Sequence, residues 1–376
     1  MPAVQKVLVI GAGAAGAATA AFLSREGLHV DLVEVKPSLY TLGSGITLQG
    51  NALRILRRLG ILDEALSQGY PYDGLGLRAP DAHATLLAEI PDAKTGGPDL
   101  PAVLGMLRPD LARLLVENAS QSGTNLQYGV TATRLTQDEN GVDVDFSDGT
   151  SDRYDLVVGA DGIRSTTRAM LGVELETRAT GMAIWRIHGA RPADVTRTDL
   201  IYGGPSYIAG YCPTGKDSSY AYIVEAASDR TGLSPEEKLS TLRRLAGAYH
   251  GPWDEIREGI TDPDKINYTW FETHLLDGAW NRGRVVLIGD AAHACPPTLA
   301  QGAAMALEDA DVLCELLLMA DRVDDALWKA FTERRLPRAR WVVEASNQLG
   351  QWLLDGVQGD VPALMHELAA LVSEPA

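Results

Sequence analysis

The chain is 376 residues long, with 45% hydrophobic and 22% charged residues, the balance of a globular protein of about two domains. A formal charge of −17 argues against nucleic acid or an anionic membrane as a partner, but not against a small anion held by local arginines. No stretch of about 18 residues is apolar enough to span a bilayer, and the N-terminal strand runs into glycines without a cleavage pattern, so neither a membrane segment nor a signal peptide is expected.

In chain order, the first apolar run, Val7 to Ile10, stops at Gly11, and Gly11, Gly13 and Gly16 fill a G-x-G-x-x-G spacing ahead of an Ala-rich helix. Such a turn lets a pyrophosphate approach the backbone, and the helix N-terminus favours its charge. Glu34 then closes the second strand, where a carboxylate accepts a hydrogen bond from a ribose hydroxyl. At this point NAD and FAD both fit. A small hairpin is expected at Gly74 to Ile90. Arg108 precedes a helix predicted from Pro109; a cation there is locally unfavourable, so either an anion lies nearby or the side chain is in solvent. Arg164 has the same two readings.

The run from Asp155, LVVGADGIRS, and the run from Arg284, VVLIGDAAHACPP, read as buried parallel strands, each ending in a small residue beside an aspartate. Open α/β sheets bind ligands at the carboxyl ends of their strands. A cofactor using both the first strand end and Asp290, so far along the chain, must be long and extended, which suits FAD. Asp290 would accept from ribityl hydroxyls, and the helix from Gly302 would aim its positive end at the flavin pyrimidine. For Asp161 and Asp290 the alternative is helix capping.

Between these strands, Gly181 to Thr273 alternates with the period of two of antiparallel strands. The tail from Gly302 reads as helices kinked or divided by Pro337. The chain is therefore expected to be α/β, a Rossmann-like FAD-binding domain (1–73, 99–178 and 274–376, with C-terminal helices) carrying an inserted, mainly antiparallel β-sheet substrate domain (74–98 and 179–273).

These three motifs resemble those of the single-component, class A flavin monooxygenases typified by para-hydroxybenzoate hydroxylase. LGSGITLQGNALRILRRLGI (Leu42 to Ile61) and PPTLAQGAAMALEDA (Pro296 to Ala310) are similar to 6-hydroxynicotinate 3-monooxygenase, salicylate hydroxylase and alkyl-quinolone monooxygenases. Ala300 stands where most members have glycine. The resemblance implies non-covalent FAD, NADH or NADPH as co-substrate, dioxygen, and hydroxylation of a small phenolic or N-heteroaromatic ring through a flavin C4a-hydroperoxide. It implies cofactor contacts at Gly11, Gly13, Ala14, Ala15, Gly16, Glu34, Val35, Lys36, Gly45, Arg108, Asp161, Asp290, Pro297, Gly302 and Ala303. Tyr211 is the expected activating residue, with Arg186 and His188 as catalytic partners; Thr47, Trp185, Pro296 and Pro297 are expected to line the ring. Tyr211 and Trp185 read equally as core aromatics. His293 is expected to orient neighbours by hydrogen bonding. The alternatives are a flavoprotein that sequesters an aromatic ligand without turnover and, with less support, a halogenase. Cys212, Cys295 and Cys314 lack metal-ligand spacing, which fits a reduced, cytoplasmic setting; no metal is expected. A homodimer is common in the family, and the sequence leaves the oligomeric state open.

Overall fold

The structure, a computed structural model, describes residues 3–39 and 44–376, so Leu42 and Gly43 of the resembling segment lie outside the described residues. A six-stranded sheet runs in the order Asn281–Arg282, Val285–Leu287, Leu156–Gly159, Lys6–Ile10, His29–Glu34, Asn125–Tyr128. All neighbours are parallel except the first pair. The three apolar runs of the sequence are thus adjacent strands. Their register pairs Ile10 with Gly159 and Gly159 with Leu287, so the three motif-bearing ends finish side by side.

Burial explains why these runs do not alternate. Val7, Val9, Leu156, Val158 and Val286 pack under helices Ala14–Arg25 and Gly302–Met319, while Leu8, Ile10, Val157 and Val285 pack on the meander Ala132–Gln137, Val142–Phe146, Ser151–Tyr154. With both faces covered, an apolar residue is favoured at every position.

The second sheet has eight strands, ordered His293–Ala294, Asn267–Leu275, Arg178–Ala190, Ser218–Ala226, Ile208–Pro213, Thr198–Tyr202, Gly74–Arg78, Leu86–Pro91. Its pairs are antiparallel, apart from the parallel pair joining Thr198–Tyr202 to the hairpin strand Gly74–Arg78. One face is covered by two helices, Pro235–Ala246 and Pro252–Glu258, that the alternation did not announce. The first begins with a capping box: Ser234 Oγ accepts from the Glu237 amide at 3.2 Å, and the Glu237 carboxylate accepts from the Ser234 amide at 2.8 Å.

A three-stranded sheet (Gly45–Gln49, Val103–Leu107, Tyr70–Tyr72) meets the other face. Two glycines permit the contact: a Cβ on Gly45 would lie 2.4 Å from Tyr220 Cβ, and one on Gly105 2.0 Å from the Pro213 carbonyl oxygen. Helices Gly302–Met319, Asp325–Asp355 and Val361–Ser373 finish the chain. Pro337 does not divide them. The helix Asp325–Asp355 continues through it, and both Pro337 and Glu333, whose carbonyl loses its amide partner there, face solvent, where water satisfies that oxygen. Among the described residues, no helix is long and apolar enough to cross a membrane.

Candidate functional site

The first strand end forms a cradle of backbone. Gly11 has φ +101°, and a Cβ there would meet the Ala160 carbonyl oxygen at 2.5 Å; a Cβ on Gly16 would meet the Gly11 carbonyl oxygen at 1.9 Å. Beside exposed Gly13 the space is open, which is where an approaching phosphate needs it. Helix Ala14–Arg25 has no side-chain cap and no acidic residue in its first turn, with Ala14 half-buried and Ala15 buried. Glu34 reaches back to this turn, accepting from the Ala12 amide at 2.9 Å and the Lys36 amide at 3.0 Å. Val35, 64% exposed, continues the rim.

At the third strand end, the Asp290 carboxylate is open to solvent yet ringed by protein. Burial raises its pKa above the ordinary carboxylate value, with His293 and Arg108 pulling the other way. Among the described residues, neither the Asp290 carboxylate nor the exposed Arg108 guanidinium makes a hydrogen bond or ion pair. The helix Gly302–Met319 begins nearby, its N-terminus without side-chain cap or first-turn acid, and Gly302 and Ala303 are partly open. An unpaired carboxylate, an unpaired guanidinium, two uncapped helix ends and a glycine cradle fit a long anionic dinucleotide with hydroxyl donors along its length.

Asp161 does not share this freedom. Its oxygens accept from Ser165 Oγ, the Thr167 amide at 2.9 Å, and the hydroxyls of Thr167 and Thr166, so it organises the turn Thr166–Met170. Arg164 is exposed and pairs with Glu272 at 2.6 Å. Arg168, which sequence reasoning passed over, donates from the buried side to the carbonyls of Ala291 and Ile163 and ties this turn to the Asp290 loop. Gly45 is buried against Tyr220, and that packing requires the glycine.

Behind the recess lies a sealed charge cluster. Arg335 donates to Asp309 at 2.7 Å and Glu308 at 2.9 Å, all three no more than 1% exposed. Asp309 also accepts from the Gly289 amide at 2.8 Å and from His293 Nε2 at 2.7 Å. A carboxylate can only accept, so Nε2 carries a proton. Burial alone would raise the Asp309 pKa, but His293 and Arg335 outweigh it and hold it down. Glu308 further accepts from Arg338 and Asn51, and Asn51 donates to Gln301, the residue that immediately precedes the Gly302 helix. The cluster thereby fixes both Asp290's turn and that helix end.

Ala300 has φ +53°, a left-handed conformation that L side chains rarely adopt and that favours glycine.

On the eight-stranded sheet, alternation separates the expected ring-handling residues. Trp185 and Tyr211 point to the helix-covered face, fully buried with Leu242, Tyr249 and Trp253. Trp185 Nε1 donates to Glu225 at 2.8 Å, and the Tyr211 hydroxyl donates to Asp199 at 3.0 Å. Both are buried in the helix-side core with their polar atoms already satisfied by the protein. His188 shares Arg186's phase but sits two residues on, against Lys265 and Asp262; burial first, then Lys265, lowers its pKa, and it borders a separate cleft of about 110 Å³.

The opposite face holds Arg186, Tyr220, Tyr222, Cys212 and Tyr202. Arg186 pairs across strands with Tyr222, and Tyr222 with Gly210. Half-buried Arg186 donates to Thr269 Oγ1; burial lowers its pKa, Tyr220 opposes, and Arg108 reinforces the lowering. Burial raises the phenol pKa values of Tyr202, Tyr220 and Tyr222 and pushes the Cys212 thiol up to about 12, so all four stay neutral at ordinary pH. Thr47 shares a strand face with Gly45, against Tyr220, and with Gln49, whose amide donates to the Leu299 carbonyl at 3.0 Å. Pro296 is buried and lines a cleft of about 280 Å³; Pro297 is exposed.

The family described as FAD binding domain matches residues 5–346. The 2-heptyl-3-hydroxy-4(1H)-quinolone synthase of Pseudomonas aeruginosa is 34% identical over 92% of this chain and 90% of its own length. The 6-hydroxynicotinate 3-monooxygenase of Bordetella bronchiseptica is 31% identical over 93% of this chain and 92% of its own. Among solved structures, the tetrameric form of 2-methyl-3-hydroxypyridine-5-carboxylic acid oxygenase superimposes with a TM-score of 0.80 at 26% identity, covering 97% of this chain and 96% of that one. Klebsiella pneumoniae HpxO, complexed with FAD and uric acid, has the same fold at 22% identity, with a TM-score of 0.84 over 99% of this chain and 97% of its own. The cradle, the unpaired Asp290 and Arg108, and matches that run through nearly the whole length lead to one conclusion: the chain belongs to the FAD-binding family of class A aromatic-ring monooxygenases.

Proposed function

We propose that this enzyme hydroxylates a small phenolic or N-heteroaromatic ring, consuming NADH or NADPH and dioxygen and releasing water, with the ring held against the Arg186–Tyr222 face. The observation that carries this reading is that face itself: Arg186 lies beside the neutral Tyr220 and Tyr222 phenols and, among the described residues, pairs with no carboxylate, next to the recess that fits FAD. A half-buried cation without an anionic partner favours a ligand bearing a phenolate or carboxylate. Hydroxynicotinate and hydroxyquinolone, the rings in two relatives' names, are of that kind.

Bound FAD supplies the redox chemistry, taking hydride from the nicotinamide and passing one oxygen atom to the ring. Gly11, Gly13, Ala14, Ala15, Gly16 and Glu34 would hold its adenylate half; Asp290, Arg108, Pro297, Gly302 and Ala303 would hold the ribityl and pyrimidine end. Arg186 stabilises the ring oxygen as an anion and so makes the ring electron-rich. The Tyr222 phenol, kept neutral by burial, orients that oxygen by a hydrogen bond. Pro296, Pro297 and Thr47 wall the ring from water, which is needed because leaked solvent diverts reducing equivalents to peroxide.

In this reading the ring-binding part is 74–98 together with 179–273. The protein's three free cysteines agree with a reduced cytoplasm, and a homodimer is the assembly this reading expects from the family resemblance. The test is oxygen-dependent NADH and NADPH oxidation by FAD-loaded protein against hydroxybenzoates, hydroxypyridines and hydroxyquinolines, quantifying peroxide and product together. Product matching the nicotinamide consumed is expected. Tight ring binding with flat consumption would mean a ligand-sequestering flavoprotein instead.

A further inference from the structure

The strand register defines a straight row of side chains leaving the ring site. Arg186 pairs with Tyr222, Tyr222 with Gly210, Gly210 with Leu200, Leu200 with Leu77, and Leu77 with Ala88, all on one sheet face. At about 4.8 Å per strand, the row runs roughly 19 Å from Tyr222 to Ala88. It begins at a cation and is uncharged thereafter. Gly210 leaves room for the Tyr222 ring to lie over the strand, since a Cβ there would be 2.6 Å from Tyr222 Cζ.

The far part of the row is uncovered. Leu200, Leu77 and Ala88 are only half-buried, and the flanking Tyr202 and Ile90 are 39% and 41% exposed. None of these five joins a buried hydrophobic cluster of the described residues, whereas on the opposite face Ile223, Ala209 and Ile201 of strands Ser218–Ala226, Ile208–Pro213 and Thr198–Tyr202 are sealed under two helices. Leaving one apolar face open, continuous with a cationic aromatic site, costs solvation free energy unless a ligand covers it.

We propose that the ring substrate carries a hydrocarbon chain that lies along Gly210, Leu200 and Leu77 toward Ala88, so that the substrate is an amphipathic aromatic with its ionisable head at Arg186. This rests on the ring being held on that face. Its chain length, not the ring alone, sets affinity.

The test titrates FAD-loaded protein with homologous 4-alkylphenols and 2-alkyl-4-hydroxyquinolines, methyl through heptyl, following flavin absorbance and product. Each added methylene should lower the dissociation constant about fourfold, the equivalent of ~0.8 kcal/mol, until the row is filled. Leu77→Asp, and separately Ile90→Asp at an already exposed site, should flatten that series. Equal affinity along the series, with the methyl compounds still hydroxylated, would overturn the chain site and leave the hydroxylase reading standing; no response to any ring compound would remove both. If Leu77→Asp instead splits a dimer into monomers in sedimentation while the series keeps its slope, the face binds a second copy and the proposal is wrong.

Discussion

The two faces of the eight-stranded sheet differ in who satisfies their polar groups. On the helix-covered face every feature that looked catalytic is answered by the protein: Trp185 by Glu225, Tyr211 by Asp199, and Asp199 in turn by Arg78 and Arg197. On the other face Arg186 has the Thr269 hydroxyl and the neutral phenols of Tyr220 and Tyr222 beside it, and no carboxylate partner among the described residues. The contrast extends to charge in the nucleotide half, where Arg335, Asp309 and Glu308 are sealed with one another while Asp290 and Arg108 stand unpaired in the recess. Charges that build the fold are paired internally, and those left open mark where ligands act.

The largest effect should come from breaking a satisfied group. Asp199→Ala takes the carboxylate partner from Arg78, leaves Arg197 with Glu89 alone and removes the partner of Tyr211; a loss on the order of 4 kcal/mol in urea unfolding is expected. The FAD-loaded variant should keep its ratio of product to NAD(P)H oxidised, since nothing on the open face changes. An intact stability would mean that the helix-side cluster is not the structural one.

His274 offers a proton-based version. It is 3% exposed, set between Thr177 and the Asp290 carbonyl, and burial lowers its pKa to about 4. The unfolded imidazole titrates near about 6.5, so the unfolded chain binds a proton that the folded one refuses. Stability from this site is therefore present above about 6.5 and lost as pH falls toward 4, on the order of 3 kcal/mol. Comparing wild type with His274→Gln by urea unfolding at pH 7 and pH 4.5 checks it: the variant should show the shallower decline.

Arg186→Gln tests the open face directly. Affinity for an anionic ring ligand should fall about tenfold, equivalent to ~1.4 kcal/mol, with little change in melting temperature. A smaller gain is expected from Ala300→Gly, which relieves a left-handed alanine at the expense of unfolded-chain entropy and should stabilise by about 0.5–1 kcal/mol in thermal unfolding.

What was legible in the sequence follows the same division. The Gly11–Gly16 turn, Glu34 and the three apolar strands are dictated by backbone sterics and two-sided burial, which leave direct marks in residue type, and their strand ends do lie together. The sheet faces are set by register between strands far apart in sequence. A shift of one position exchanges Trp185 for Arg186 and Tyr211 for Cys212, and no local signal fixes that phase. Tyr220 and Tyr222 were visibly in phase with each other, but only the pairing with Arg186 puts them on the open face. Asp161 was ambiguous because the cap and the ligand contact use the same carboxylate; the structure shows the capping bonds to Ser165 and Thr167. The two covering helices were overlooked although Ser234 and Glu237 spell a capping box, because the surrounding alternation drew the whole segment toward strand.

The most direct measurement compares Tyr222→Phe with Tyr211→Phe, one hydroxyl removed from each face, scoring product formed per NAD(P)H oxidised with the FAD-loaded enzyme. The account predicts that Tyr222→Phe slows hydroxylation and shifts consumption toward peroxide, while Tyr211→Phe keeps full coupling and loses only about 1 kcal/mol of stability with its hydrogen bond to Asp199. Uncoupling in Tyr211→Phe with normal coupling in Tyr222→Phe would contradict it and move the ring to the helix-covered side.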